Sequence, residues 1–111
     1  MKNDFSKRIP LELLCLSLLK EQDMYGFEMA QEIEERSGHL LSINITTLYV
    51  TLKKLTEKGY VSAHYHDSSV TRERLRVYYH FEDAADSYYQ ALYDEYRQTA
   101  RGVKNFLKEK G

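Results

Sequence analysis

Residues 44–60 read NITTLYVTLKKLTEKGY. On a helical wheel at about 100° per residue, Leu48, Leu52 and Leu55 converge with Thr51 beside them, a seam that would fasten the helix to a core. Thr46, Val50, Lys53 and Glu57 point away; Lys54 and Thr47 lie on one flank and Tyr49 on the other. Asn44 or Thr46 is the N-cap candidate, because a short side chain with an oxygen can accept a first-turn N–H, and Gly59 punctuates the C-terminus. Taken alone, such a helix reads as a solvated face. Its neighbours decide whether it is more.

Downstream, YVSAHYH (60–66) and RLRVYYHF (74–81) alternate in strand fashion around a polar, turn-forming DSSVTRE. The pair predicts a β-hairpin with its tip at Asp67, Ser68 and Ser69, although no Asn-Gly or Asp-Gly fixes the turn type. Upstream, MYGFEMAQEIEERSG (24–38) predicts a helix with Phe27, Ala30 and Ile33, joined by Met29, on its apolar stripe and Gly38 as its stop. Before it, Ile9 to Leu19 is apolar on two sides, with Leu11, Leu14 and Leu18 on one and Ile9, Leu13 and Leu16 on the other. Pro10 suits a first helical turn. A helix apolar all round needs cover on both sides, and in so small a protein a second subunit is a candidate for part of it.

Three helices followed by a hairpin is the order of a winged helix-turn-helix, so residues 1–81 are predicted to form that DNA-binding domain. Residues 82–111 are predicted to be a C-terminal dimerisation helix, giving an α+β, mostly helical fold. The helical pattern from Glu82 to Lys110 would run about 43 Å at ~1.5 Å per residue. Asp83 and Asp86 near its start and Lys104, Lys108 and Lys110 near its end suit the helix dipole. Ala85, Tyr89, Leu92, Tyr96, Thr99, Val103 and Phe106 follow the alternating spacing of a helix packed lengthwise on another helix. Tyr89, Leu92, Tyr96, Val103 and Phe106 are therefore the expected dimer contacts, against the alternative of a helix folded back on its own domain.

Composition narrows the function. The 111 residues are 42% apolar and 30% charged, which fits one soluble globular domain. No apolar run reaches the roughly 18 residues of a membrane span, and the N-terminus is a poor signal peptide. A single cysteine, Cys15, permits no internal disulfide and suits a cytoplasmic protein; without an accompanying His or Asn pattern it reads as a core hydrophobe. Net charge is −1, yet residues 20–37 carry two basic and six acidic side chains, whereas residues 44–81 carry six basic and three acidic. A segregated basic face matters more to a polyanion than the sum does.

The DNA-facing candidates follow. A helix entering the major groove needs small or hydroxyl residues near its N-terminus and cationic or hydrogen-bonding ones along its sides. Asn44, Thr46, Thr47, Tyr49, Lys53 and Lys54 meet that specification. Arg72, Arg74 and Arg76 recur at period two, which projects them from one strand face, and Arg72 and Arg74 are the wing candidates for phosphate or minor-groove contact. The opposing reading pairs these arginines with Glu73 or the acidic second helix.

Other chemistry is thin. His64 and His66 share one strand face, but no third ligand has an obvious spacing, so no metal and no cofactor is expected. No nucleophile–base pattern, glycine-rich phosphate loop or paired-acid motif points to an enzyme. Of ten tyrosines, Tyr78, Tyr79, Tyr88, Tyr89, Tyr93 and Tyr96 cluster around the hairpin exit and last helix. They are interface fillers on one reading. On the other, Tyr89, Tyr93 and Tyr96 with Leu11 and Cys15 of the first helix line a cavity between subunits for a flat aromatic or phenolic effector.

The assembled stretches LELLCLSLL, YGFEMAQEIEERSG and TTLYVTLKKLTEKGYV, with the arginines before VYYHF, resemble the PadR family of bacterial transcriptional regulators over roughly residues 9 to 107. The most specific element is the Thr-Leu-Tyr to Gly-Tyr-Val run from Thr47 to Val61, followed at hairpin distance by Arg-x-Tyr-Tyr. One short C-terminal helix resembles the compact branch of that family. The resemblance implies a winged-helix homodimer that represses genes by binding an inverted-repeat, double-stranded DNA operator and responds to a phenolic or drug-like effector. It places Thr47 and Tyr49 at the DNA-contacting start of the recognition helix, Lys53 and Lys54 on its flank, and Arg74 in the wing. The chain departs from the family's pattern at Ile45, Thr46 and Val50, where Pro-Gly and Pro are common. It departs again at Phe81, Glu82 and Ala85, where a Leu-Thr-x-x-Gly turn is common, and it has no tryptophan. The alternative function is a small-molecule-binding or protein-interaction dimer that keeps the fold without DNA recognition.

Overall fold

The computed structural model describes residues 9–66 and 76–108, with the side chains of His66 and Arg76 left aside. Arg72, Arg74, the Asp67–Ser69 turn and Lys110 lie outside the described residues. The element order is α1 (Leu11–Glu21), β1 (Met24–Tyr25), α2 (Gly26–Arg36), α3 (Ile45–Glu57), β2 (Val61–His66), β3 (Arg76–Phe81) and α4 (Ala85–Leu107). This is the expected mostly helical, winged-helix architecture with a long last helix.

The core forms where the apolar stripes of α1, α2 and α3 meet. Leu16, Met29, Leu48, Leu52, Leu55, Val61 and Cys15 are its most deeply buried side chains. The α1 helix is covered on both sides by its own chain, packing against α2, α3, β3 and α4. A second subunit is not needed for that cover, because α4 crosses back over it.

Two local readings are corrected by the structure. Met24 and Tyr25, expected in the second helix, form a strand that pairs antiparallel with β3, with Met24 opposite Tyr79 and Tyr25 opposite Tyr78. The sheet order is β1-β3-β2, and β2 and β3 form the predicted hairpin, with Val61 opposite Phe81 and Ala63 opposite Tyr79. The helix starts at Gly26 because the Glu28 carboxylate reaches back to accept the Tyr25 backbone N–H at 2.9 Å, half of a capping box. That start turns Gly26, Met29 and Ile33 inward and leaves Phe27 61% exposed. The apolar stripe is therefore centred on Met29, not Phe27.

The ends of α3 follow the sequence closely. Asn44 is the N-cap, its side-chain oxygen accepting the Thr47 N–H at 3.0 Å. At the other end Gly59 adopts φ 82°, a left-handed conformation that lets Tyr60 N–H reach Leu55 C=O at 3.0 Å and turns the chain into β2. The last helix begins at Ala85 rather than Glu82; the Glu82 N–H bonds Tyr60 C=O at 3.0 Å, carrying the chain one residue past β3 before the helix starts.

Candidate nucleic-acid interface

The α3 helix has one buried face and three exposed or shared ones. Leu48, Leu52 and Leu55 are fully buried and hold it to the core. Thr46, Lys53 and Glu57 are exposed on the opposite side. Among the described residues neither Lys53 nor Lys54 forms an ion pair, whereas Lys20 is bound by Asp86, Lys58 lies 3.8 Å from Glu12, and Arg36 is held by Glu21 and Glu32. The cations available to an incoming anion on this helix are thus the two that face away from the core.

The acidic region is partly self-neutralised. Arg36 donates both terminal nitrogens to the Glu21 carboxylate at 2.9 and 3.0 Å, and its Nε to Glu32 at 2.8 Å. This fork holds the Glu21 carboxyl below its usual range.

One flank of α3 borders a groove of about 560 Å³. Thr47, Val50, Thr51 and Lys54 form one wall, Ile9 to Leu13 at the start of α1 the second, and Leu92, Glu95, Tyr96 and Thr99 of α4 the third. Leu11 and Tyr96 of the effector candidates are brought together here. Cys15 is not: it is sealed in the core, where burial, and then the Glu12 carboxylate, push its thiol up to about 12. Tyr89 instead meets Phe81 edge-on at 6.3 Å, with Lys20 Nζ 5.3 Å from each ring, and Tyr93 lies under Arg97 at 5.7 Å.

The opposite flank carries Tyr49 toward α2 and the wing. Tyr79, on the sheet face turned toward α3, has its hydroxyl raised above its ordinary value by burial and then by Tyr49 and Tyr65. On the other sheet face His64 shares a 2.9 Å hydrogen bond with Ser62, and His80 meets Asp23 at 2.8 Å. Among the described residues no three His, Cys, Asp or Glu side chains gather in metal-binding geometry.

Sequence reasoning missed a cluster at the C-terminal end of α3. Tyr88 of α4 donates its hydroxyl to the Glu12 carboxylate of α1, stacks on Tyr60, and lies 5.5 Å from Lys58 Nζ. Only the spatial return of α4 brings these four residues together, so no local spacing announces them.

Comparison with known proteins places this architecture. Residues 15–91 match the transcriptional regulator PadR-like family, well over half of the chain. The chain belongs to the PadR-like family. A transcriptional regulator from Clostridium thermocellum is 28% identical, with a TM-score of 0.80 over 96% of this chain and 98% of its own. An uncharacterized protein of Lysinibacillus sphaericus is 30% identical over 98 residues, 88% of each chain. The structure of Bacillus subtilis PadR in complex with operator DNA shares the fold, with a TM-score of 0.62 and 24% identity over 76% of this chain and 45% of that one. In PadR-like terms α2 and α3 are the helix-turn-helix and β2–β3 the wing. No helix among the described residues is long and apolar enough to cross a membrane.

Proposed function

We propose that this PadR-like regulator binds double-stranded DNA as a homodimer in the cytoplasm, acting as a ligand-responsive repressor at an inverted-repeat operator. The observation that carries the reading is the outer face of α3: an Asn44-capped helix held by three buried leucines, presenting Thr46 and unpaired Lys53 and Lys54. Thr46, Thr47 and Asn44 at its N-terminus are short enough to approach base edges, and the lysines suit phosphates. Arg72 and Arg74 would add wing contacts. The complex of the Bacillus subtilis relative with operator DNA supports the choice of partner.

The dimer reading rests on α4. Its seam is buried at Ala85 and half-buried at Tyr89 and Leu92, but Tyr96, Val103 and Phe106 stay open in a single chain. The effector reading rests on the groove beside α3. An aromatic or phenolic molecule bound by Leu11 and Tyr96 would touch Thr47 and Lys54 of the recognition helix as well.

The test is fluorescence anisotropy on DNA from the gene's own upstream region across a salt series. Lys53→Ala should weaken binding about tenfold and lower the salt slope by about one, as loss of one phosphate contact does. A purified wild-type protein with no salt-dependent affinity for that DNA ends the reading.

A further inference from the structure

Gly26 opens α2, and its φ is not in the left-handed region that favours glycine. Alanine would form that helical turn better. Space, not backbone conformation, accounts for the glycine. A Cβ built on Gly26 would stand 2.6 Å from Tyr49 Cε1, 2.9 Å from its Cζ and 3.0 Å from its hydroxyl oxygen. The three nearest atoms all belong to one tyrosine side chain, carried across from α3.

That ring lies at a junction. The start of α2 is tied to the sheet through β1, which pairs with Tyr78 and Tyr79 of β3. Gly26 directly follows Tyr25 of β1, so the Tyr49 side chain seated on Gly26 stands beside the edge of that sheet. Tyr49 therefore reaches from the recognition helix to the place where α2 and the wing meet, yet stays 43% exposed.

We propose that Gly26 is a positioning residue for DNA recognition, and that Tyr49 seated upon it fixes the recognition helix relative to the wing. The inference rests on the DNA-binding reading above. A winged-helix protein must place α3 in a groove and its wing on the neighbouring backbone at once, so their relative position sets how many contacts form together. An alanine at position 26 displaces the far end of a half-exposed ring rather than any backbone. The fold survives, and the seat is lost.

The experiment measures thermal unfolding, DNA affinity and salt slope for wild type, G26A, Y49A and the double variant on one upstream fragment. G26A should unfold close to the wild-type temperature but bind about tenfold more weakly, with a salt slope shallower by about one to two contacts. Y49A should lose affinity and slope similarly, and adding G26A to it should cost nothing further, since the ring that collides is gone. Wild-type affinity and slope in G26A, or additive losses in the double variant, overturn the inference while leaving DNA binding intact. A wild type that binds no DNA overturns the underlying reading, and this inference with it. Should G26A fail to fold, Y49A decides alone: an unchanged salt slope is the overturning result.

Discussion

The rings of Tyr60 and Tyr88 lie face to face, 4.4 Å apart and 14° from parallel. Tyr60 lies three residues past the end of α3 and Tyr88 sits one turn into α4, so this stack joins the exit of α3 to the last helix. The Tyr88 hydroxyl, pushed up to about 12 by burial and by its bond to Glu12, extends the link to α1. Tyr88→Phe should cost about 1 kcal/mol, the usual net worth of a hydrogen bond. A Tyr60→Ala and Tyr88→Ala cycle should give a coupling of about 1 kcal/mol from the aromatic pair. Chemical denaturation measures both, and a coupling near zero would show that the stack does not join the two helices energetically.

Adjacent residues on α3 should separate stability from binding. Leu52 is fully buried and Lys53 fully on the outer face. Leu52→Ala should lower stability by about 3 kcal/mol, through lost burial and the cavity left behind. Lys53→Ala should leave the unfolding midpoint unchanged while weakening DNA binding. Equal destabilisation by the two would mean that α3 is not oriented as described.

Cys15 should resist modification in the native protein. It is fully buried and its thiol titrates far above neutrality, so little thiolate exists to react. Labelling with a thiol reagent at neutral pH should be slow and become rapid on adding denaturant. Fast native labelling, slowed by an added aromatic ligand, would return Cys15 to the effector site.

These contrasts mark what the sequence discloses. The α3 helix is legible because its leucines, its Asn44 cap and its Gly59 stop all act within one turn of the residues they shape. The hairpin is legible from alternation alone. Elements set by distant contacts are less so. The β1 strand is two residues long and exists because β3, far along the chain, supplies its hydrogen bonds. Phe27 looks like a core residue until the helix start at Gly26 fixes which face turns inward. Cys15 and Tyr96 look equally suited to a cavity, yet helix packing puts one in the core and the other on a groove. Gly26 offers a signal in retrospect: a glycine opening a helix, with no turn for it to make.

His80 should impose a pH dependence on stability. Its hydrogen bond to Asp23, with the Glu82 and Asp83 charges adding, raises its pKa above the ordinary 6.5. A raised folded-state value means that the protonated form is favoured in the native protein. The stabilisation is therefore fully present below pH 6.5 and is lost as pH rises through the raised value. The pair is about half exposed, so the effect should be small and reduced by salt. Melting temperatures of wild type and His80→Gln should converge as pH increases; a gap that does not change with pH counts against the pair.

The last helix makes the strongest prediction about assembly. The chain's radius of gyration is 16.0 Å, against about 13 Å for a compact domain of this length. The excess comes from α4, whose far half carries Val103 at 51% exposure and Phe106 at 82%, in register with the half-buried Tyr89 and Leu92. Apolar residues at that spacing gain little in water and much against a second helix. Replacing both Val103 and Phe106 by Asp should leave the helical circular dichroism and the core unchanged, because neither side chain touches the core. Light scattering should then report a dimer for the wild type and a monomer for the variant. Operator affinity should fall by far more than any single phosphate contact explains, since two half-sites would no longer be bound together. A wild type that is monomeric at micromolar concentration, or a double variant that remains dimeric, would remove α4 from the interface.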